Sequence, residues 1–307
     1  MKNQPLYNLA ILLVLLAGCH ANREPDPFLQ ATWIGEPASP PMADSLMYGD
    51  HPAPLFRREF SVNDKLRSAT LYITAAGYYE AYINGEKVGR NHLDPAWTDY
   101  GKRVYYEAYD ATPLIRQGEN CIGTALGNGF YNPLPLRMWG RRNLREVLPV
   151  GQPAFIARLR LEYLDGRTSE MVTDHRWKFS AGPILKNNVY LGEIYDARKE
   201  MPGWNTAGFD DRDWKSASVV QGPGGQLVRA FFPPIRATEV FQPVHVSSVN
   251  ESRYIADMGV NYAGLYRIRL RGRQGDTIIF RFGERLYENG ELNPMTTVCG
   301  QIKKPGM

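Results

Sequence analysis

Apolar and polar residues alternate in short runs along most of the chain, and turn residues separate the runs. Phe56-Arg-Arg-Glu-Phe60 leads to Ala69-Thr-Leu-Tyr-Ile-Thr74, where Leu71 and Ile73 alternate with polar or interfacial residues. A period of two puts one set of side chains on one face of a strand. Residues 78–89 read as a strand, an Asn84-Gly85 turn and a return strand, because both turn residues tolerate positive φ. Residues 103–109, 121–126 and 155–163 predict further strands, with a turn over 113–120. Asp165-Gly166 predicts a hairpin into residues 168–173. No helix of three clean turns interrupts this region, and short strands with regular turn signals predict a β-sandwich.

The pattern breaks near residues 221–240, at Gly222-Pro-Gly-Gly225 and Phe232-Pro-Pro234. Beyond the break, residues 244–249, 253–257, 264–271 and 277–282 read as strands, the last two as a hairpin about Gly275-Asp276. The predicted fold class is all-β. A jelly-roll-like β-sandwich over 31–220 is joined by a linker over 221–239 to a partial second β-sandwich over 240–307. So few strands seldom bury enough apolar surface to stand alone, and the second unit is expected to be unstable by itself.

The first residues fall outside this pattern. Lys2 precedes an apolar run over 9–16, too short to cross a bilayer as a helix, so residues 1–18 read as a signal peptide. Leu16-Ala17-Gly18-Cys19 resembles the bacterial lipobox. That resemblance implies cleavage before Cys19 and a lipid on its thiol, the alternative being an ordinary signal peptide with a chance cysteine. Residues 19–30, polar with Pro25 and Pro27, suit a tether. The expected location is an exported, membrane-anchored lipoprotein, periplasmic or at the cell surface.

Composition adds two exclusions. The 307 residues carry a net charge of +4, too small to argue for a nucleic-acid partner. With five His and no CxxC or HExxH, the sequence offers no zinc site. Cys121 and Cys299 fall in different predicted units, and nothing in their spacing requires a disulfide.

Several blocks resemble the bacterial α-L-rhamnosidase family. They are Ala76-Gly-Tyr-Tyr-Glu-Ala-Tyr-Ile-Asn-Gly-Glu-Lys-Val-Gly89, Leu93-Asp-Pro-Ala-Trp-Thr-Asp-Tyr100 and Gly118-Glu-Asn-Cys-Ile-Gly-Thr-Ala-Leu-Gly-Asn-Gly-Phe-Tyr131. Gly192-Glu-Ile-Tyr-Asp-Ala-Arg198, Gly203-Trp204 and Phe209-Asp-Asp-Arg-Asp-Trp214 follow in order. Tyr254-Ile-Ala-Asp-Met-Gly259 and Phe282-Gly-Glu-Arg-Leu286 resemble the start of the family's concanavalin-like domain. The resemblance implies a glycoside hydrolase that releases terminal L-rhamnose with inversion. The family's catalytic carboxylates sit on an α/α-barrel that these residues do not reach, about 6.5–9.5 Å apart as inversion requires. No catalytic residue is therefore assigned, and this chain alone is expected to be inactive. Whether it is a gene fragment or a functional unit stays open.

The resemblance also implies a rhamnose site on the N-terminal sandwich, with calcium as a candidate ligand and no cofactor required. The residues that fit such a site are Asp94, Trp97, Asp99, Tyr100, Asn128 and Tyr131, with Phe130 beside the last two. Trp97 and Tyr100 fit packing anchors equally well, and Asp94 and Asp99 turn caps. Glu193, Asp196 and Arg198 form a second charged cluster, read either as a face toward the catalytic domain or as a local ion pair. Phe209, Asp210, Asp211 and Trp214 read as a turn with capped amides and inward rings. Arg137, Arg141, Arg142 and Arg145 around Trp139 read as a solvated loop or a surface for an acidic glycan or a neighbouring domain. The expected partners are a rhamnose-containing glycan, the membrane through the lipid, and a separate chain carrying the catalytic barrel. The alternatives are a stand-alone carbohydrate-binding lipoprotein and a structural interaction module.

Overall fold

The computed structural model describes residues 26–37, 43–138 and 142–297. The expected signal peptide, Cys19, Cys299, Trp139 and Arg141 lie outside the described residues. In chain order the strands begin with β1 (Ile34–Gly35), β2 (Pro54–Val62), β3 (Leu66–Ala76), β4 (Tyr78–Ile83), β5 (Glu86–Lys87), β6 (Arg103–Asp110) and β7 (Gly118–Gly127). Next come β8 (Arg137–Met138), β9 (Arg142–Asn143), β10 (Ala154–Tyr163), β11 (Thr168–Val172), β12 (Lys178–Ala181), β13 (Ile184–Asn188) and β14 (Gly192–Tyr195). The rest are β15 (Lys215–Ser216), β16 (Ser218–Val219), β17 (Gln226–Arg229), β18 (His245–Asn250), β19 (Arg253–Asp257), β20 (Arg285–Leu286) and β21 (Leu292–Asn293). A single helical turn, α1 (Leu144–Val147), follows β9.

Two sheets face each other. One runs β16-β1-β10-β3-β6-β17, with β11 continuing the edge beside β10, and the other runs β15-β12-β2-β7-β4-β5. The alternation read in the sequence sets which side chains enter the core. In β3, Leu71, Ile73 and Ala75 are fully buried and stand opposite Leu159, Ala157 and Phe155 of β10. The facing sheet contributes Phe56, Ile83, Ile122, Leu126 and Phe179. Phe155 joins the layers, its ring 5.2 Å from Phe56 and 5.3 Å from Trp177. Each large side chain buried here contributes about 1.5–3 kcal/mol.

The Asn84-Gly85 turn adopts positive φ at both residues, 52° and 88°, as the hairpin requires. The Asn84 side chain ties this turn to the next strand, accepting from Cys121 N at 3.0 Å and donating to Leu114 O at 2.9 Å. Cys121 beside it is a buried free thiol, and burial pushes its pKa up to about 11.

The loop over 201–214 covers the outer face of the second sheet, and a buried arginine holds it there. Arg57 on β2 pairs with Glu59 and Asp211, and donates to Trp204 O at 2.8 Å and Thr206 O at 3.0 Å. Its guanidinium also lies 5.5 Å from the centre of the Phe209 ring. Gly123, opposite Arg57 in the sheet, leaves room for the loop: a Cβ there would sit 2.7 Å from both Trp204 and Asn205. The sequence reading of residues 209–214 agrees with this arrangement. Asp210 accepts from Arg212 N, Trp204 stacks on Trp214, and Phe209 meets Trp214 edge-on.

Three segments differ from their sequence reading. The expected linker over 221–239 contains β17, which pairs in parallel with β6, and Phe231 and Phe232 pack on Tyr105. The glycine-rich breaker turns the chain back onto the sandwich rather than away from it. The expected tether already docks by residue 28: Phe28 is buried against Tyr106, and Arg158 donates to Asp26 O at 3.0 Å. The strands expected over 264–271 and 277–282 form no ladder. A turn closes between Arg273 and Asp276, and Tyr266 meets Phe280 at 4.8 Å, yet Leu265, Ile268, Leu270 and Ile279 stay exposed. A two-strand ribbon is marginal without a covering layer, and no layer among the described residues covers this one. β18 and β19 do pair, as their alternation predicts.

A limited trypsin digest tests this contrast. Cleavage is expected first at arginines within residues 253–285, leaving a resistant fragment that spans the sandwich. Equal resistance of both parts would contradict the reading.

Candidate functional site

Several loops gather at the end of the second sheet where β4 begins and β7 ends, at the Tyr78–Gly127 pair. Residue 94 is held there by its backbone, since Tyr79 N donates to Asp94 O at 2.9 Å. The loop after β7 is fixed to the β13–β14 hairpin through Asn128. Its N–H donates to Asn187 Oδ1 at 2.6 Å and its side-chain amide to Asn187 O at 2.9 Å, while its Oδ1 accepts from Asn132 at 2.9 Å. Arg145 braces the same loop, donating to Asn132 Oδ1 and Pro133 O, both at 2.9 Å.

The loops bring three rings together. Trp97 stacks on Phe130 with centroids 4.4 Å apart, and Phe130 meets Tyr190 edge-on at 6.1 Å. Trp97 remains 51% exposed, so one indole face is covered by Phe130 and the other is open to solvent. The sequence placed Phe130 beside the candidate site but carried no signal for Tyr190, which arrives through the fold of the hairpin.

The other candidates are placed differently. Tyr100 and Tyr131 are buried and pack edge-to-face, 5.2 Å apart. Asp94 is buried and accepts from the Tyr109 hydroxyl at 2.6 Å. Desolvation, reinforced by the Asp94 charge, raises the Tyr109 pKa, which keeps that hydroxyl protonated as a donor. Asn91 donates to the Tyr109 oxygen at 3.2 Å and Arg236 to Asn91 at 3.0 Å, so Asp94 ends a chain of three bonds. Asp99 is exposed and caps a turn, accepting from Gly101 N at 3.1 Å, with Lys102 at 3.2 Å. Asp94, Asp99 and Asn128 therefore each have protein partners of their own. Among the described residues no three His, Cys, Asp or Glu side chains converge on a metal position.

The second charged cluster separates into two features. Asp196 and Arg198 form a local pair, with Arg198 donating through Nε and Nη2 at 2.8 Å, and this bonding holds the Asp196 carboxyl below its usual range. Glu193 has a different neighbour. Desolvation, and then the charge of Glu80, raises its pKa, while Glu80 itself is held by Lys87 and Tyr82.

Comparison with known proteins places this arrangement. Residues 64–239 match the family described as alpha-L-rhamnosidase N-terminal domain, and residues 247–304 match the bacterial alpha-L-rhamnosidase concanavalin-like domain. An alpha-L-rhamnosidase of Formosa agariphila is 36% identical over 249 residues, which is 81% of this chain and 26% of that protein. The solved alpha-L-rhamnosidase from Dictyoglumus thermophilum is 37% identical with a TM-score of 0.72, over 86% of this chain and 29% of its own. That of Streptomyces avermitilis, solved in complex with L-rhamnose, is 34% identical with a TM-score of 0.74, over 80% of this chain and 23% of its own. The chain thus spans roughly a quarter of the length of the curated relatives it matches.

Two substitutions separate scaffold from surface at this site. Tyr109→Phe leaves the buried Asp94 carboxylate without its donor and is expected to destabilise the sandwich by about 1–3 kcal/mol in urea unfolding. Trp97→Ala removes one exposed stack and is expected to cost at most about 1.5 kcal/mol. The reverse order would mean that Trp97 anchors the fold.

Proposed function

Because the chain belongs to the bacterial α-L-rhamnosidase family, we propose that it forms the accessory, carbohydrate-binding portion of a glycoside hydrolase that releases terminal L-rhamnose from glycans. The observation that carries this reading is the open face of Trp97, held flat against Phe130. An exposed indole offers the apolar C–H face of a sugar ring a surface to cover. The scaffold beneath is rigid, since Asn128, Asn187 and Asn132 lock the supporting loop. Such a site binds without a conformational cost. With the acidic candidates already engaged by protein groups, binding on this reading needs no calcium.

In the same reading the inverting pair of carboxylates belongs to another part of the enzyme. Two acids near the site, Glu80 and Glu193, sense each other's charge, and Glu80 is also paired with Lys87. The exposed apolar side chains from residue 240 onward, such as Val240, Val244 and Ile279, favour a second and compatible role in docking a neighbouring domain. The pattern of residues 1–19 supports export with a lipid on Cys19.

The first experiment is hydrolysis of a chromogenic α-L-rhamnoside by purified residues 20–307, followed by L-rhamnose titration with calcium and with a chelator. The expected result is no turnover above a heat-killed control. Rhamnose binding is expected to survive chelation and to weaken at least about tenfold, or 1.4 kcal/mol, in Trp97→Ala. Clear turnover would contradict the accessory reading and direct attention to Glu80 and Glu193. Undiminished binding in Trp97→Ala would remove the indole from the site. For the anchor, Cys19→Ser is expected to move the protein from the membrane fraction to the soluble exported fraction, and an unchanged distribution would exclude the lipid.

A further inference from the structure

A cleft of about 380 Å³ opens between the end of the β4–β5 hairpin and the segment over 235–237. Its lining is Lys87, Arg90, His92, Arg236 and Ala237, so every polar side chain in it carries or accepts a positive charge. The walls are fixed. The His92 N–H donates to Ile235 O at 2.9 Å, and Arg236 Nε donates to buried Asn91 at 3.0 Å. Asn91 continues to Tyr109 and Asp94, so the bonds that hold the Trp97 loop also hold one wall of the cleft.

The charges in the cleft are not balanced from within. Lys87 pairs with Glu80, which also accepts the Tyr82 hydroxyl. Glu107 lies within electrostatic reach of Arg236 but also of Arg229, which shares its charge. Arg90, His92 and Arg236 form no ion pair among the described residues. Two guanidinium groups in one concave site repel each other unless an anion stands between them. Their donors are planar forks that match the oxygens of a carboxylate or a sulfate.

We propose that this cleft recognises an oxyanion carried by a saccharide, either the carboxylate of a uronic acid or a sulfate ester. The proposal rests on the carbohydrate-binding reading above and names the class of glycan. His92 and Trp97 are five positions apart, at most about 18 Å of chain. A short oligosaccharide therefore reaches both, with a rhamnose on the open indole and a charged neighbour in the cleft.

The probes are a rhamnosyl-glucuronate disaccharide, its neutral rhamnosyl-glucose counterpart, a sulfated rhamnoside and inorganic sulfate. Each is titrated into residues 20–307, with calorimetry for affinity and the His92 ring signals for location. At low salt at least one charged saccharide is expected to bind about tenfold tighter than the neutral one, and the better of the two identifies the oxyanion. The preference shrinks as salt rises from about 0.01 M to 0.15 M, where the Debye length falls from about 30 Å to 8 Å. Arg90→Gln, at an exposed position, is expected to remove most of the preference and leave neutral binding unchanged. Arg236→Gln serves as the second variant. Equal affinity for charged and neutral saccharides, or a preference that survives both variants, overturns the proposal. If no saccharide binds, inorganic sulfate separates the two readings. His92 shifts that disappear in Arg90→Gln would keep the anion site and refute the carbohydrate reading, whereas no shift would refute the site itself.

Discussion

The aromatic seam between the two sheets is the interaction on which the rest depends. Phe155 meets Phe56 of the facing sheet at 5.2 Å and Trp177 at 5.3 Å, and Phe179 stacks beside Phe56 at 5.7 Å. Neither sheet buries its inner face alone. Once the seam closes, both ends of the sandwich and both outer faces are fixed relative to it. The loops at the start of β4 then have a rigid edge on which to assemble, and that edge carries Trp97.

Polar side chains do the second half of the work, each by fixing a loop to a sheet. Arg57 holds residues 204–211 on one outer face, and Arg158 holds the N-terminal segment on the other with help from Glu170. Both arginines are buried, and each is compensated by a carboxylate and by backbone carbonyls. That compensation is what makes a buried guanidinium tolerable. Asp94, Tyr109, Asn91 and Arg236 repeat the arrangement with weaker charges, and they tie residues 235–237 to the loop of the candidate site. The site and the basic cleft therefore share one support.

Most of the sandwich was legible in the sequence because its strands alternate. Leu71 and Ile73, Phe155 to Tyr163, and the Asn84-Gly85 turn all declare themselves locally. β17 did not, because Gln226–Arg229 is short, lies between breakers and gains its identity only from pairing in parallel with β6. Residues 264–282 erred in the other direction. Their alternation is genuine, but a ladder needs a covering layer that a local pattern cannot report. At the candidate site the residue types were right for stacking and capping, yet the sequence could not separate them. Tyr100 and Tyr131 carry the same signal as Trp97 and lie buried, while Tyr190 carried none and, half-buried, meets Phe130 beneath Trp97. The basic cleft was equally hidden, since Arg236 meets Arg90 only through the fold.

Family membership is shown by the match, and the proposed role rests on a flat aromatic surface for one sugar with a basic cleft nearby. The measurement that tests this most directly is a crystal structure of residues 20–307 grown with L-rhamnose. The account predicts a sugar ring lying on the open face of Trp97, with the Asn128 loop unmoved. A well-occupied sugar elsewhere, with Trp97 bare, would contradict it.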